Sequence, residues 1–170
     1  MSILDIIRKR YSCRAYQDRP IEKEKFDKIF EAARLAPSAK NMQDWRFVVV
    51  TDKEKRRQIA RATNKPDVFE KAAAIIVACS NSAHIMKCGQ PIGPIDVAIA
   101  LEHIALQAAE LGLGTCWIGA FSTEIVRPVA AIPDNVTIIE LMAIGYPADK
   151  PKEPQREPVE KIVCYEKWQF

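Results

Sequence analysis

Residues 73–79 read AAIIVAC, an uninterrupted apolar run with Glu70 and Lys71 before it and Ser80 and Asn81 after it. A strand with one wet face alternates apolar and polar residues, whereas a continuous run of small and β-branched residues is typical of a strand covered on both faces. The run therefore predicts a strand in the interior of a sheet, with other elements packed above and below it.

The pattern on either side of this strand predicts a mixture of helices and further strands. Apolar residues three and four apart indicate helices, and short β-branched runs indicate strands. We expect a short helix from residue 3 to the basic stretch at 8–10, helices over 22–36, 52–62 and 122–131, and strands over 46–51, 115–118 and 137–144. Residues 80–94 contain two glycines and two prolines, which is typical of a loop.

A long helix is predicted to follow that loop, with Pro94 in its first turn and its end near Leu111. It is apolar nearly all round, which indicates packing on several sides. Charged residues such as Asp96 and Glu102 interrupt it, so we expect a buried helix and not a membrane span. For its polar stripe of His103, Gln107 and Glu110, a hydrogen-bonded structural network is a better interpretation than a catalytic base.

Composition limits the classes of protein to consider. The chain has 170 residues, 48% of them hydrophobic, and a net charge of +3 with its cations spread along the whole length. These values predict one domain over 1–170 and argue against nucleic acid as a partner. The first residues do not resemble a signal peptide, and five scattered cysteines include no C-x-x-C pair, so we expect reduced thiols in a cytoplasmic protein.

A metal site is the one alternative that the cysteines raise. Cys79, His84 and Cys88 lie within ten residues and are ligand types that zinc accepts. A fourth ligand is missing nearby, so we expect no metal.

The C-terminal part of the chain changes character at residue 148. Residues 148–158 are rich in Pro, Lys and Glu, whereas 159–165 again look like a strand, and Trp168 and Phe170 stand almost at the end. Aromatic residues on such an extended arm need a distant surface to cover, and a partner subunit is one candidate.

Two segments contain side chains suited to binding an anion or a heteroaromatic ring. Residues 8–14 read RKRYSCR, here called the basic segment, in which Arg10 and Arg14 are close enough in sequence to share one anion. The alternative is a solvated helix end, where cations are favourable. Residues 37–45 offer Ser38, Asn41 and Gln43, whose groups suit a turn and equally the mixed edge of a ring such as that of a flavin.

A third segment, GLGTCWIGAF at 112–121, places small residues at the end of a predicted strand, where backbone N–H groups can approach a ligand. The Gly-rich fingerprints of dinucleotide and nucleoside triphosphate sites are absent from the sequence. If a phosphate is bound, cationic side chains must therefore hold it.

Taken together, these motifs resemble the short-chain members of the nitroreductase family. The resemblance covers essentially the whole chain and rests on R-x-S-x-R at 10–14, A-P-S-x-x-N-x-Q at 36–43, LGLGTCWIGAF at 111–121 and G-Y-P at 145–147, followed by Arg156. It implies an α+β fold with a central, mainly antiparallel sheet flanked by helices, and a homodimer in which the extended C-terminal arm, residues 148–170, reaches the partner subunit.

The resemblance also implies FMN at the dimer interface, with NADH or NADPH as a transient electron donor. The resemblance implies that Arg10, Tyr11, Ser12 and Arg14 bind the phosphate, the ribityl chain and the ring edge of the cofactor, with Arg156 on the phosphate. It also implies Asn64 at the ring edge, Ile118 and Gly119 beside the ring, and Pro37, Ser38, Ala39 and Asn41 from the partner. The reactive atom is the cofactor's own, so no catalytic side chain is expected.

The implied reaction is ping-pong hydride transfer to an electron-poor small molecule, namely a nitroaromatic, quinone, enone or free flavin. The alternative is an FMN-binding protein that relays or stores electrons and has no small-molecule substrate of its own.

Overall fold

The computed structural model describes residues 2–151 and 155–170. In these residues four strands form one antiparallel sheet in the order β1-β2-β4-β3. The elements are α1 (Ile3–Lys9), α2 (Lys23–Arg34), β1 (Trp45–Val50), α3 (Lys53–Arg61), α4 (Pro66–Phe69), β2 (Ala74–Ser80), α5 (Ile92–Glu110), β3 (Gly114–Ile118), α6 (Thr123–Val129) and β4 (Thr137–Gly145).

The strand that the apolar run predicts is β2, and all seven of its residues are buried. It pairs with β1 on one side and with β4 on the other, so it lies inside the sheet as expected. Its side chains alternate between two separate cores, because successive residues of a strand point to opposite faces. Ile75 and Val77 enter the first core, whereas Ile76 and Ala78 enter the second.

The two cores make a three-layer architecture. The first core lies between the sheet and α3, α4 and α6, through residues such as Ile59 and Val126. The second lies between the sheet and α2 and α5, through Ile29, Leu101 and Ile104. Full burial of each such aliphatic side chain contributes roughly 1.5–3 kcal/mol to folding. The α+β fold with a flanked antiparallel sheet is therefore confirmed.

The long helix begins at Ile92, two residues before Pro94, and has Pro91 as its N-cap. Pro94 lies within its first turn, as the sequence predicts. By length and composition α5 could cross a membrane, but 56% of its apolar window is buried inside the protein. α5 is therefore the central helix of the second core. Its polar stripe makes one contact to α2, where His103 Nδ1 lies 3.1 Å from the Ala32 carbonyl oxygen, and one contact within α5, where Gln107 donates to Glu110.

The predicted strand at 159–165 is wrong. Residues 159–161 form a single 3₁₀ turn, and the residues after it form neither strand nor helix. A strand needs a neighbour for its backbone hydrogen bonds, and in the described part of the chain no strand pairs with this segment. Residues 152–154 of the predicted arm lie outside the described residues.

Candidate functional site

The basic segment lies along the outer edge of β3, the edge strand of the sheet. Ser12 and Thr115 form a parallel bridge, and the Cys13 N–H donates to the Thr115 carbonyl at 2.9 Å. The approach is so close that a Cβ at Gly114 would lie 2.6 Å from the Cys13 side chain. Glycine at the start of β3 is therefore what allows the basic segment to dock there.

The chain after the basic segment is fixed from the other side. The Gln17 N–H donates to the Tyr146 carbonyl at 2.9 Å, and the Ala148 N–H donates to the Ala15 carbonyl at 2.8 Å. The buried Tyr16 hydroxyl donates to the Cys13 carbonyl at 2.9 Å. Burial raises the pKa of Tyr16 well above its ordinary value, so the phenol keeps its proton. The backbone of this segment is thus held by a continuous set of hydrogen bonds.

The four cations of the basic segment divide into two pairs. Arg8 and Lys9 lie in the last turn of α1, where a solvated helix end accounts for them. Arg10 and Arg14 lie beyond the helix, against β3. The Arg10 Nε is 3.5 Å from a Glu102 carboxylate oxygen on α5. Arg14 donates from Nη1 to the Ser12 carbonyl at 3.2 Å, and among the described residues no carboxylate lies within ion-pair distance of it. The Arg14 guanidinium therefore keeps its capacity for an external anion.

Tyr11 has a partner that the sequence did not indicate. Its hydroxyl donates to an Asp149 carboxylate oxygen at 2.7 Å. The other Asp149 oxygen accepts from the Arg14 backbone N–H at 3.3 Å. Burial and the bond to Asp149 together raise the pKa of Tyr11 far above its ordinary value. The Tyr11 hydroxyl is thus a bound donor within the protein.

Asn64 and the end of β3 lie at the other end of the same edge. Thr63 and Phe121 form an antiparallel bridge, and the Ser122 N–H donates to the Ala62 carbonyl at 2.9 Å. Asn64 follows this bridge and is exposed. Ile118 is the last, buried residue of β3, and Gly119 stands exposed one position further on. From Thr115 to Gly119 an extended chain spans roughly 13 Å, so the cations and Asn64 belong to opposite ends of one elongated edge.

Glu140 on β4 is a second residue that sequence reasoning missed. Its carboxylate lies 3.6 Å from where a Cβ of Gly119 would stand. Oε1 is buried and, within the described residues, has no hydrogen-bond partner. Burial raises the pKa of Glu140, although backbone N–H groups of Leu141 and Ile118 partly oppose the shift. A single carboxylate in the otherwise apolar run IIELMAIG, 138–145, was the available signal.

Residues 37–41 lie elsewhere, on the connection from α2 to β1. The Ala39 N–H points to the buried Asp96 carboxylate, 3.2 Å from each oxygen, and the Ser38 hydroxyl accepts from the Gln43 N–H at 3.0 Å. Lys40, Asn41 and Gln43 have positive φ angles. β1 and β3 are opposite edges of the sheet, and the hydrogen bonds described for Ser38 and Ala39 are made to residues outside the basic segment.

Arg156 is exposed, and the contact described for its guanidinium is a bond from Nη1 to the neighbouring Gln155 carbonyl at 3.3 Å. The described contacts therefore do not join it to Arg10 or Arg14. The structure assembles seven of the predicted residues along the β3 edge: Arg10, Tyr11, Ser12, Arg14, Asn64, Ile118 and Gly119.

Comparison with known proteins identifies the family of this chain. The nitroreductase family model matches residues 7–66 and 60–146, most of the chain. The chain belongs to the nitroreductase family. A nitroreductase family protein from Clostridium difficile 630 is 35% identical and superposes with a TM-score of 0.88, with 99% of this chain and 100% of that one covered.

Two further relatives carry informative names. An FMN-dependent nitroreductase from Clostridium difficile R20291 is 32% identical, with a TM-score of 0.79 and 98% of each chain covered. A protein from Bacillus subtilis strain 168 named as an FMN reductase using NAD(P)H is 28% identical, and the match covers 89% of this chain and 68% of that protein.

In residues 2–151 and 155–170 of this nitroreductase-family chain, no group of three or more His, Cys, Asp or Glu side chains is placed so that it could hold a metal ion. Cys79 is buried in the first core, and burial raises the pKa of its thiol to about 11. Cys88 is exposed. Although these two cysteines are close in sequence, they lie in different environments.

Proposed function

We propose that this chain is an FMN-dependent NAD(P)H oxidoreductase that reduces electron-poor small molecules: nitroaromatics, quinones, enones or free flavin. The supporting observation is the single elongated edge along β3, with Arg10 and Arg14 at one end and Asn64 and Gly119 at the other. The names of its relatives, an FMN-dependent nitroreductase and an FMN reductase using NAD(P)H, support the same class of reaction.

The donors along this edge fit a flavin mononucleotide. A phosphate monoester needs cationic donors that no internal carboxylate neutralises, and Arg14 provides one. The Ser12 carbonyl accepts a hydrogen bond from the Arg14 guanidinium, while Arg10 keeps a long contact of 3.5 Å with Glu102. An isoalloxazine ring needs a flat approach to backbone and amide groups, which the exposed Gly119 and Asn64 offer.

In this proposal Arg10, Tyr11, Ser12 and Arg14 bind the phosphate and reach the ribityl chain and ring edge, with Arg156 on the phosphate. Asn64, Ile118 and Gly119 contact the ring. Bound FMN supplies the hydride-accepting and hydride-donating chemistry. The protein's part is to orient the ring and to supply fixed donors where negative charge develops, which costs no reorganisation during the reaction. Because the chemistry belongs to the cofactor, no side chain is assigned as a catalytic acid or base.

A homodimer completes the site in this proposal. Pro37, Ser38, Ala39 and Asn41 lie at the opposite edge of the sheet from the basic segment, so a second copy must bring them to it. The arm, residues 148–170, carries large apolar side chains that a soluble chain rarely leaves in water: Trp168 is 81% exposed and Ile162 is 65% exposed. We therefore propose one domain over 1–170 whose arm covers the partner subunit.

The experiment is to purify the full chain, record its visible spectrum and measure NADH and NADPH oxidation with a nitroaromatic and a quinone. We expect a yellow protein and steady turnover. Arg14→Ala is expected to weaken FMN binding about tenfold or more, as for loss of a hydrogen bond to a charged group. The control Arg8→Ala removes a neighbouring cation from the helix end.

A colourless protein that takes up no FMN would overturn the proposal. A yellow protein that every nicotinamide reduces only slowly would instead favour electron relay or storage. For the dimer, removal of residues 159–170 is expected to convert a dimeric native mass into a monomeric one. An unchanged mass would contradict the role of the arm.

A further inference from the structure

Asp149 joins the first residues of the arm to the basic segment. One carboxylate oxygen accepts from the Tyr11 hydroxyl at 2.7 Å, and the other accepts from the Arg14 backbone N–H at 3.3 Å. The Cys13 thiol contributes a weaker contact at 3.4 Å. These partners are three of the four consecutive residues 11–14, so one side chain braces the segment that the proposed function assigns to the phosphate.

The three donors to Asp149 are all neutral groups. Among the described residues no guanidinium or ammonium lies within 4.0 Å of the Asp149 carboxylate. The Arg14 guanidinium instead donates to the Ser12 carbonyl. Asp149 therefore fixes the backbone beside Arg14 without neutralising the positive charge of its side chain.

The protonation state of Asp149 also suits a residue that fixes the basic segment. Asp149 is exposed, and the slight desolvation of its carboxylate would raise its pKa, but the hydrogen bonds from Tyr11 and from the Arg14 amide lower that pKa on balance. Asp149 is accordingly an ionised acceptor, and hydrogen bonds to an ionised acceptor are stronger than those between neutral groups. A bond of this kind restricts the basic segment more than a neutral side chain would.

We infer that Asp149 is a positioning residue for the phosphate of bound FMN, acting through Tyr11 and the Arg14 backbone. This inference rests on the proposed function, because it assumes that the basic segment binds the phosphate. The test distinguishes this role from two others: a carboxylate that occupies the place of the phosphate at the Arg14 N–H and opposes binding, and a carboxylate that only braces the fold.

Comparison of FMN with riboflavin separates these roles, since riboflavin has the same ring and ribityl chain without the phosphate. Dissociation constants of both flavins are measured by fluorescence quenching with Asp149→Asn, Tyr11→Phe and the double variant. The control Asp134→Asn removes an exposed carboxylate from the connection between α6 and β4. Circular dichroism verifies that each variant is folded.

We expect Asp149→Asn to raise the dissociation constant of FMN about tenfold and to leave that of riboflavin unchanged. Tyr11→Phe is expected to act in the same direction, and the double variant to lose less than the product of the two single effects, because the residues act as one unit. If Asp149→Asn does not fold, Asp149→Ser, which also removes the carboxylate and keeps a short polar side chain, is tested with FMN and riboflavin in its place.

Four results would overturn the inference. Tighter FMN binding by Asp149→Asn would show that the carboxylate competes with the phosphate. Equal weakening for FMN and riboflavin would show a brace for the fold without a specific role at the phosphate. If the unmodified protein binds neither flavin, the proposed function fails as well, whereas normal FMN binding with unaffected variants refutes this inference alone.

Discussion

Replacement of Glu140 by Gln is expected to stabilise the protein at neutral pH. Burial raises the pKa of this carboxyl, and its Oε1 has no partner among the described residues. A carboxyl whose pKa is higher in the folded state binds its proton more tightly there than in the unfolded state. Its contribution to the free energy of unfolding is therefore lost as pH rises from the ordinary value of 4.5 through the raised one.

The size of the effect follows from the environment of the carboxyl. Leaving a buried polar group unpaired costs about 1–3 kcal/mol. Glu140 is only partly buried, so we place the gain near the lower end, at about 1 kcal/mol. For a chain of this length that corresponds to an increase of about 2–4 °C in Tm.

The assay is thermal or urea unfolding of the full chain between pH 4 and pH 8. Glu140→Gln should match the unmodified protein at the acidic end and exceed it at the neutral end. Asp134→Asn, at an exposed position on the connection between α6 and β4, serves as the control and should show no such divergence. A Glu140→Gln variant that is no more stable at pH 8, or equally more stable at every pH, would refute the reasoning.

Three further predictions concern packing, thiol reactivity and a second pH effect. Gly145→Ala places a Cβ 2.9 Å from a backbone nitrogen and an aromatic ring and should lower the free energy of unfolding by about 1–3 kcal/mol; an unchanged denaturation midpoint would contradict this. Cys88 is exposed, whereas burial raises the pKa of Cys13 to about 11, so a thiol reagent followed by mass spectrometry should label Cys88 first in the folded protein, and early labelling of Cys13 would be inconsistent with the structure. The Tyr146 hydroxyl donates to Glu22 and lowers the pKa of that carboxyl to about 2. The resulting stabilisation is present above pH 4.5 and is lost as pH falls toward 2, so Tyr146→Phe should be less stable at neutral pH and equally stable in acid. Stability curves of the two proteins that run parallel over this pH range would contradict the prediction.

Most of the fold was predictable because its elements are locally encoded. The uninterrupted run in β2 and the spacing of apolar residues in α2 each carry their structure in a few adjacent positions. The four-residue α4, Pro66–Phe69, was missed because one turn of helix is too short to show a period. The wrong strand at 159–165 shows the limit of local pattern, because a strand forms only where another segment is available to pair with it.

The candidate site was predictable in its own residues and unpredictable in their partners. Arg14 and Gly119 belong to short motifs that can be read directly from the sequence. Asp149 is 138 positions from Tyr11, and neither residue indicates the other. The ion pair between Arg10 and Glu102 was equally unpredictable, because it depends on how the basic segment packs against α5.

The placement of β2 between β1 and β4 has a consequence for synthesis in the cell. β1 and β2 can pair as soon as both have emerged, but the other edge of β2 must wait until residues 81–136 and then β4 have been made. At a translation rate of 5–20 residues per second this takes roughly 3–13 s. During that interval the unpaired, apolar edge of β2 is available to pair with other nascent chains. Ribosome-associated chaperones and the density of ribosomes on the mRNA should therefore affect the yield of folded protein more than the stability of the folded state.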